Sequence, residues 1–144
     1  MTACVIGVGN ELRGDDAVGL AVVRLLEGAE AALRTCEGEP VAMLDLWEGF
    51  ERVVLVDAMH SGAEPGTIRT IDVGEERLPP ELSRASSHLL GVADAVELAR
   101  TIDRLPPQLT IYAIEGVRYD TGTGLSETAA TAAASVAAEI RRSL

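Results

Sequence analysis

The sequence predicts an α/β protein with a mostly parallel sheet. First, short apolar segments typical of buried strands alternate along the chain with longer segments of helical apolar spacing. Second, the chain opens with a strand, a glycine-containing loop and a helix, which is how a βαβ unit begins. The 144 residues are 47% hydrophobic and 24% charged, which suits one domain with a sizeable core. We therefore expect a single domain over residues 1–144.

The first half of the chain contains three predicted strands and two predicted helices. In order they are strand 1 at Ala3–Val8, helix 1 at about Asp16–Ala31, strand 2 at Arg34–Glu37, a short helix at Pro40–Glu48 and strand 3 at Arg52–Asp57. The short helix places Val41, Leu44 and Trp47 at helical spacing, and for Trp47 we favour a core position over a place in a binding groove. The apolar run 53–56 indicates a central strand that is buried on both faces.

The second half adds two strands and two helices. In order they are a turn at Gly62–Gly66, strand 4 at Thr67–Val73, a third helix at His88–Ile102, strand 5 at Gln108–Ile114, a loop at Glu115–Gly124 and a last helix that ends near Arg142. Strand 4 alternates Ile68 and Ile71 only weakly, which favours a place near an edge of the sheet. Ser126 has the residue type and position of an N-cap for the last helix.

Composition excludes several classes of function. The net charge of −11 argues against a nucleic-acid surface, and no apolar run approaches the length of about 18 residues that a membrane span needs. Because the first strand begins almost at Met1, we expect no signal peptide and a cytoplasmic protein. Cys4 and Cys36 lie in strand-like segments, so we expect buried free thiols rather than a disulfide.

The loop after strand 1 carries two adjacent carboxylates, Asp15 and Asp16, at the entrance to helix 1. A helix N-terminus favours anions, but these side chains would repel a phosphate there. They would instead attract a metal cation or share a proton.

The same loop also begins like a dinucleotide-binding fingerprint, with Gly7 and Gly9. Leu12 stands where the next glycine is expected, and Gly14 comes two residues late. A nucleotide-binding protein is therefore a disfavoured alternative.

Three potential metal ligands lie where the strands of a parallel sheet end. Asp16 follows strand 1, Asp57 ends strand 3, and His88 opens the helix after strand 4. Ligands of open α/β sheets bind outside the carboxyl ends of the strands, and a histidine at a helix N-terminus is biased toward the neutral form that binds metals. Two carboxylates and one imidazole suit zinc or nickel and leave coordination positions open.

Each of these residues has a structural alternative. Asp16 can cap helix 1, Asp57 can be a turn residue, and His88 can make a structural hydrogen bond.

Three neighbouring residues are assigned lesser roles. We expect Asp15 to face solvent or to act as a capping neighbour, and Met59 to contribute apolar loop surface. His60 is a candidate further ligand, but a solvated loop residue is the favoured interpretation.

Four segments, in order and over nearly the whole chain, resemble the NiFe hydrogenase maturation endopeptidases: GVGNELRGDDAVGL, LVDAMHSGAEPGT, SSHLLGVADAVELA and TIYAIEGVRYDTGTGLS. The resemblance implies a three-layer αβα sandwich with a mixed, twisted sheet of about five strands. It also implies the removal of a short C-terminal extension from the hydrogenase large subunit after nickel and iron have been loaded. Asp16, Asp57 and His88 match the family's metal-binding positions. Members carry Glu or Asp at the first of these, so this chain has the shorter side chain.

The resemblance therefore leads us to expect an endopeptidase in which Asp16, Asp57 and His88 form the catalytic site and contact nickel held by the substrate. No organic cofactor is expected. The partner would be the large-subunit precursor, and the enzyme would be a monomer. Hydrolysis could use a metal-polarised carbonyl, a metal-activated water, a carboxylate base or a shared proton. The alternative is a metal-dependent binding or chaperone-like module that does not cut. The expected cleft loops are Glu37–Pro40, Met59–Gly66, the approach to His88 and Glu115–Gly124.

Overall fold

In the computed structural model, which describes residues 2–74, 78 and 87–144, five strands form one mixed sheet with helices on both faces. The side chains of residues 87–90 lie outside the description. The strands are β1 (Ala3–Val8), β2 (Ala31–Cys36), β3 (Arg52–Met59), β4 (Ile68–Val73) and β5 (Gln108–Glu115). The helices are α1 (Val18–Leu25), α2 (Pro40–Trp47), α3 (Ser87–Thr101) and α4 (Glu127–Ser143), and a 3-10 turn at Gly14–Ala17 precedes α1.

The sheet has the order β2-β1-β3-β5-β4. The first four strands in this order are parallel, whereas β4 pairs antiparallel with β5 at the edge. This arrangement confirms the predicted α/β class, the mixed sheet and the edge position of the fourth strand. It also brings the loops that follow β1, β2, β3 and β5 to a single edge, which we call the carboxyl edge.

Each face of the sheet has its own apolar core. On one face α1 and α4 pack through residues such as Val22, Leu26 and Val136, and on the other α2 and α3 pack through residues such as Trp47 and Val96. Trp47 is 2% exposed, and its indole N–H donates to the Arg104 carbonyl oxygen at 3.3 Å. The predicted core position of Trp47 is therefore confirmed, as is the three-layer arrangement.

The boundary between α1 and β2 differs from the prediction. The helix ends at Leu25 rather than near Ala31, and β2 begins at Ala31 rather than at Arg34. Leu26, Ala29 and Ala31 have high helix propensity, which favours a longer helix when only the sequence is considered. In the structure Gly28, with a φ of +87°, turns the chain, and residues 31–36 pair in register with all of β1. Strand pairing therefore overrides local propensity here.

Strands β3 and β5 run further than predicted. Their last paired residues are Met59 and Glu115, so Asp57 lies inside β3 rather than at its end. The prediction that Met59 forms loop surface is wrong, because its side chain is fully buried. The sequence does not indicate that β3 continues to Met59, because the polar Asp57 interrupts the apolar run.

Ser126 caps α4 as predicted, with its side-chain oxygen accepting a hydrogen bond from the backbone N–H of Ala129 at 3.1 Å. None of the helices within the described part of the chain combines the length and the apolar character that crossing a membrane requires.

Candidate functional site

Two acidic side chains from neighbouring segments meet at the carboxyl edge. β1 and β3 are parallel neighbours, with Gly7 opposite Val56. The 3-10 turn after β1 carries Asp16, which is 6% exposed, and β3 carries Asp57, which is fully buried. The charge of Asp16 acts on the carboxyl group of Asp57. The structure therefore brings these two predicted site residues together.

Burial dominates the electrostatics of this carboxylate pair. Desolvation raises the pKa of Asp57 well above its usual range, and the charge of Asp16 raises it further, against a hydrogen bond that Asp57 Oδ1 accepts from the Ala58 N–H at 2.8 Å. Asp16 Oδ2 accepts a hydrogen bond from the Asn10 N–H at 3.2 Å. Two buried carboxylates that act on each other electrostatically are stabilised by a shared proton or by a cation.

The structural alternatives for the two aspartates fare differently. Arg13 and Ala17 hold the N-cap positions of the 3-10 turn and of α1, so Asp16 is not an N-cap residue. Asp57 is not a turn residue, because it lies in β3 and pairs with Ala113 of β5.

The glycine loop is packed against the protein's own backbone. A Cβ atom on Gly9 would lie 2.0 Å from the carbonyl oxygen of Asp16. Because glycine has no Cβ, the 3-10 turn Gly14–Ala17, which we call the Asp16 turn, can pack directly against the end of β1. This use of the glycine accounts for the loop without a dinucleotide.

His88 lies in the first turn of α3, and its side chain is outside the described residues. The backbone near it is located by Gly91, where an added Cβ would lie 2.2 Å from the carbonyl oxygen of Gly38, just after β2. The start of α3 thus lies at the carboxyl edge. Among the residues whose side chains the structure describes, no group of three or more His, Cys, Asp or Glu is arranged to hold a metal ion.

We expect Gly91→Ala to lower the free energy of unfolding by about 1–3 kcal/mol, because the new methyl group would collide with a backbone oxygen. The sign is informative, since alanine ordinarily stabilises a helix relative to glycine by up to about 1 kcal/mol. Urea denaturation measures the difference. A more stable variant would show that α3 does not rest on the Gly38 loop.

Asp15 differs most from its predicted role. Rather than facing solvent, it is fully buried. Its Oδ2 accepts hydrogen bonds from the N–H groups of Val117 (2.7 Å) and Arg118 (3.3 Å) and from the Ser126 hydroxyl (2.7 Å), while its Oδ1 accepts one from the Ser126 N–H (2.7 Å). Burial alone would raise the pKa of Asp15, but the hydrogen bonds from Ser126, Val117 and Arg118 outweigh it and lower the pKa. No local pattern reveals these contacts, because the partners are more than 100 positions away in the sequence.

His60 is exposed, as expected for a loop residue. Its ring nevertheless stacks on Tyr119, with ring centroids 4.8 Å apart and an angle of 24° between the planes. The Tyr119 hydroxyl donates to the carbonyl oxygen of Met59 at 2.6 Å and accepts from the Gly116 N–H at 3.0 Å. Burial raises the pKa of Tyr119 to about 12, so the hydroxyl remains a donor at neutral pH.

Glu115, the last residue of β5, is a buried acid, although the sequence predicts a loop from this residue onward. It is 2% exposed, and its Oε1 accepts hydrogen bonds from both the N–H (3.0 Å) and the hydroxyl of Ser61. This contact ties the loop after β3 to the end of β5. An acidic residue directly after an apolar strand was the available signal.

The cysteines are free thiols, as predicted. Burial raises the pKa of Cys4 to about 11 and also raises that of Cys36, which is half-buried rather than buried. Both thiols are therefore protonated at neutral pH, which is unfavourable for a nucleophile.

The predicted cleft loops follow parallel strands and so begin at the carboxyl edge: residues 37–40 after β2, 60–66 after β3 and 116–124 after β5. Most of the approach to His88 lies outside the described residues.

Comparison with known proteins points to one family. Residues 39–143 match the family model described as hydrogenase maturation protease. The chain is 28% identical over 135 residues to the hydrogenase 2 maturation protease of Escherichia coli, covering 89% of this chain and 81% of that relative. It is also 36% identical over 77 residues to a provisionally named hydrogenase maturation protease of Methanocaldococcus jannaschii. This match covers 49% of this chain and 50% of that relative.

Solved structures share the fold. The E. coli hydrogenase maturating endopeptidase HybD superposes with a TM-score of 0.77 at 27% identity, covering 99% of this chain and 94% of that one. A solution structure of an endopeptidase from E. coli superposes with a TM-score of 0.81 at 26% identity, with the same coverage of 99% and 94%.

Proposed function

The chain belongs to the hydrogenase maturation protease family, and from this we propose that it is an endopeptidase that removes the C-terminal extension of a nickel-loaded NiFe hydrogenase large subunit. The observation that carries the proposal is the buried pair of Asp16 and Asp57 at the carboxyl edge. A fully buried carboxyl group whose pKa is raised, as that of Asp57 is, is typical of functional sites.

Nickel enters this proposal as part of the substrate. Asp16 and Asp57 offer carboxylate oxygens, and His88, a residue of the first turn of α3, would by its residue type supply the nitrogen of an O,O,N set. A cation at the carboxylates would relieve their repulsion and their desolvation, so binding would be favoured only when the large subunit already carries its metal. The metal would thereby act as the recognition element and would polarise the scissile carbonyl.

The chain's own residues would move the proton. Before the nickel binds, the raised pKa of Asp57 lets it hold a proton at a pH where an exposed aspartate is ionised, while Asp16 is the less deeply buried member of the pair. One carboxylate can accept a proton from an attacking water while the other supplies one to the leaving amine. Cys4 and Cys36 have raised pKa values, which is why we assign them no part in this chemistry.

The test is to incubate the purified protein with large-subunit precursor, either nickel-loaded or nickel-free, and to measure the precursor's mass. We expect loss of a C-terminal peptide from the loaded precursor only. Asp16→Asn, Asp57→Asn and His88→Ala should prevent it, whereas Asp94→Asn, which changes an exposed acid of α3, should not.

Three other outcomes would contradict parts of the proposal. Cleavage that survives all three substitutions would discard the site but keep the family. Cleavage of nickel-free precursor would remove nickel recognition. A stable complex without cleavage would favour the binding module.

We further propose that the enzyme acts as a monomer, which sedimentation of the free protein tests.

A further inference from the structure

Several hydrogen bonds connect the loop between β5 and α4, residues 116–126, to the Asp16 turn. The four hydrogen bonds accepted by Asp15 join the turn to the start and end of this loop, and the Asp15 N–H donates back to the Arg118 carbonyl oxygen at 2.8 Å. The Gly122 N–H also donates to the Leu12 carbonyl oxygen at 2.8 Å. The carboxylate of Asp15 is the centre of this attachment.

Packing leaves this attachment little freedom. A Cβ on Gly14 would lie 2.7 Å from the Arg118 carbonyl oxygen, and a Cβ on Gly116 would lie 2.7 Å from the Cβ of Asp15. Ser126, which donates to Asp15, is itself held as the N-cap of α4. The turn, the loop and the N-terminus of α4 therefore form one connected unit.

The same loop is also fastened to the strand that carries Asp57. The Tyr119 hydroxyl bonds to the carbonyl oxygen of Met59, two residues beyond Asp57, and the Tyr119 ring stacks on His60. The loop thus connects the turn bearing one candidate catalytic carboxylate with the strand bearing the other.

We propose that Asp15 is a positioning residue, which fixes the place of Asp16 relative to Asp57 by tying the Asp16 turn to the loop 116–126 and, through Tyr119, to the end of β3. The inference rests on the proposed function, since it assigns Asp15 a role in the same reaction. Asp15 touches neither substrate nor metal in this role. Misplacing a reacting group by about 1 Å can cost roughly 10²-fold in rate, so a residue that fixes this separation affects catalysis without contacting the substrate.

Asp15→Asn is the direct test, because the amide keeps the shape of the carboxyl group but supplies one acceptor oxygen instead of two. The asparagine keeps most of the hydrogen bonds when its amide oxygen takes the place of Oδ2. Its –NH₂ group then takes the place of Oδ1, which in the wild-type protein accepts a hydrogen bond from the Ser126 N–H at 2.7 Å. Two donors therefore face each other in the variant. Tyr119→Phe breaks the other attachment by removing the hydroxyl that bonds to Met59. Val136→Ala, a buried position of α4 away from the loop, is the control for lost stability alone.

Cleavage of the nickel-loaded precursor is measured below the melting temperature of every variant. We expect kcat to fall at least about 10-fold in Asp15→Asn and about 3-fold or more in Tyr119→Phe. KM should also rise in Asp15→Asn, because the displaced carboxylates are the groups that bind the substrate's nickel. Val136→Ala should keep the wild-type kcat. The Kd for Ni²⁺ alone, measured by calorimetry, should rise about 10-fold in Asp15→Asn but not in Val136→Ala.

Wild-type kcat and Ni²⁺ affinity in a folded Asp15→Asn would overturn the inference, and so would an equal loss in Val136→Ala. If Asp15→Asn does not fold, an unchanged kcat in Tyr119→Phe overturns it. If the wild-type protein does not cleave the precursor, the proposed function fails. The Ni²⁺ comparison then still decides whether Asp15 positions the carboxylates, and a wild-type protein that does not bind Ni²⁺ would overturn that role as well.

Discussion

Asp57→Asn should slow cleavage of the precursor by roughly 10²–10⁴-fold and, in the same protein, raise the free energy of unfolding. The rate falls because asparagine can neither hold nor transfer the proton of the carboxyl group. Stability rises because Asp57 is fully buried beside the charge of Asp16, and a neutral side chain of the same shape removes both costs. Asparagine keeps an oxygen for the hydrogen bond from the Ala58 N–H.

The increase in the free energy of unfolding that Asp57→Asn produces should become larger as pH rises. The folded-state pKa of Asp57 is raised, so above its unfolded value of about 3.9 the unfolded chain loses a proton that the folded protein keeps. This group therefore makes the metal-free wild-type protein less stable as pH rises from about 4 through the folded pKa. The variant does not lose stability in this way. The difference between its free energy of unfolding and that of the wild-type protein should therefore increase over the same pH range and then become constant.

Urea denaturation of metal-free protein at a series of pH values, with cleavage assays alongside, makes both measurements. We expect the variant to be more stable by at least about 1 kcal/mol at neutral pH, the equivalent of less than one pKa unit. Asp94→Asn, which neutralises an exposed acid, should change neither quantity. A less stable Asp57→Asn variant would mean that the carboxylate is structural rather than kept for function.

Gly19→Ala should be among the most destabilising substitutions in this chain, with a loss of about 3 kcal/mol or more. An added Cβ would lie 2.3 Å from the Val56 carbonyl oxygen and 2.8 Å from that of Val8. Both atoms belong to central strands that cannot move without breaking the sheet. Gly7 is the reciprocal case, since its Cβ would lie 2.4 Å from the Gly19 carbonyl oxygen. The two glycines let α1 rest directly on β1 and β3.

Thermal or urea denaturation of Gly19→Ala measures this loss. Gly74→Ala is the control, because no described residue lies within 4 Å of the added Cβ, and its effect should stay within about 0.5 kcal/mol. Because alanine favours helix over glycine, local propensity alone gives the opposite sign at position 19. A stabilised Gly19→Ala would show that α1 packs further from the sheet.

Much of the fold could be predicted because its signals are local. The apolar runs of β1, β3 and β5, the weak alternation of β4 and the N-cap at Ser126 all stand in the sequence as short patterns. The position of Asp16 and Asp57 at one edge also followed, since the carboxyl ends of parallel strands meet there. Helix 1 was overextended because the pairing of β2 with β1 is a non-local contact.

The sequence by itself thus determined the fold class, the order of the elements and the carboxylates that meet at the carboxyl edge. Tertiary structure alone decided that Asp15 is buried, that Glu115 bonds to Ser61, and that Tyr119 joins the loop 116–126 to β3. The physical reason is that hydropathy and propensity act between near neighbours in the chain. The burial of a carboxylate, by contrast, depends on donors such as the Ser126 N–H, which lies 111 positions away in the sequence and reaches Asp15 only in the folded structure.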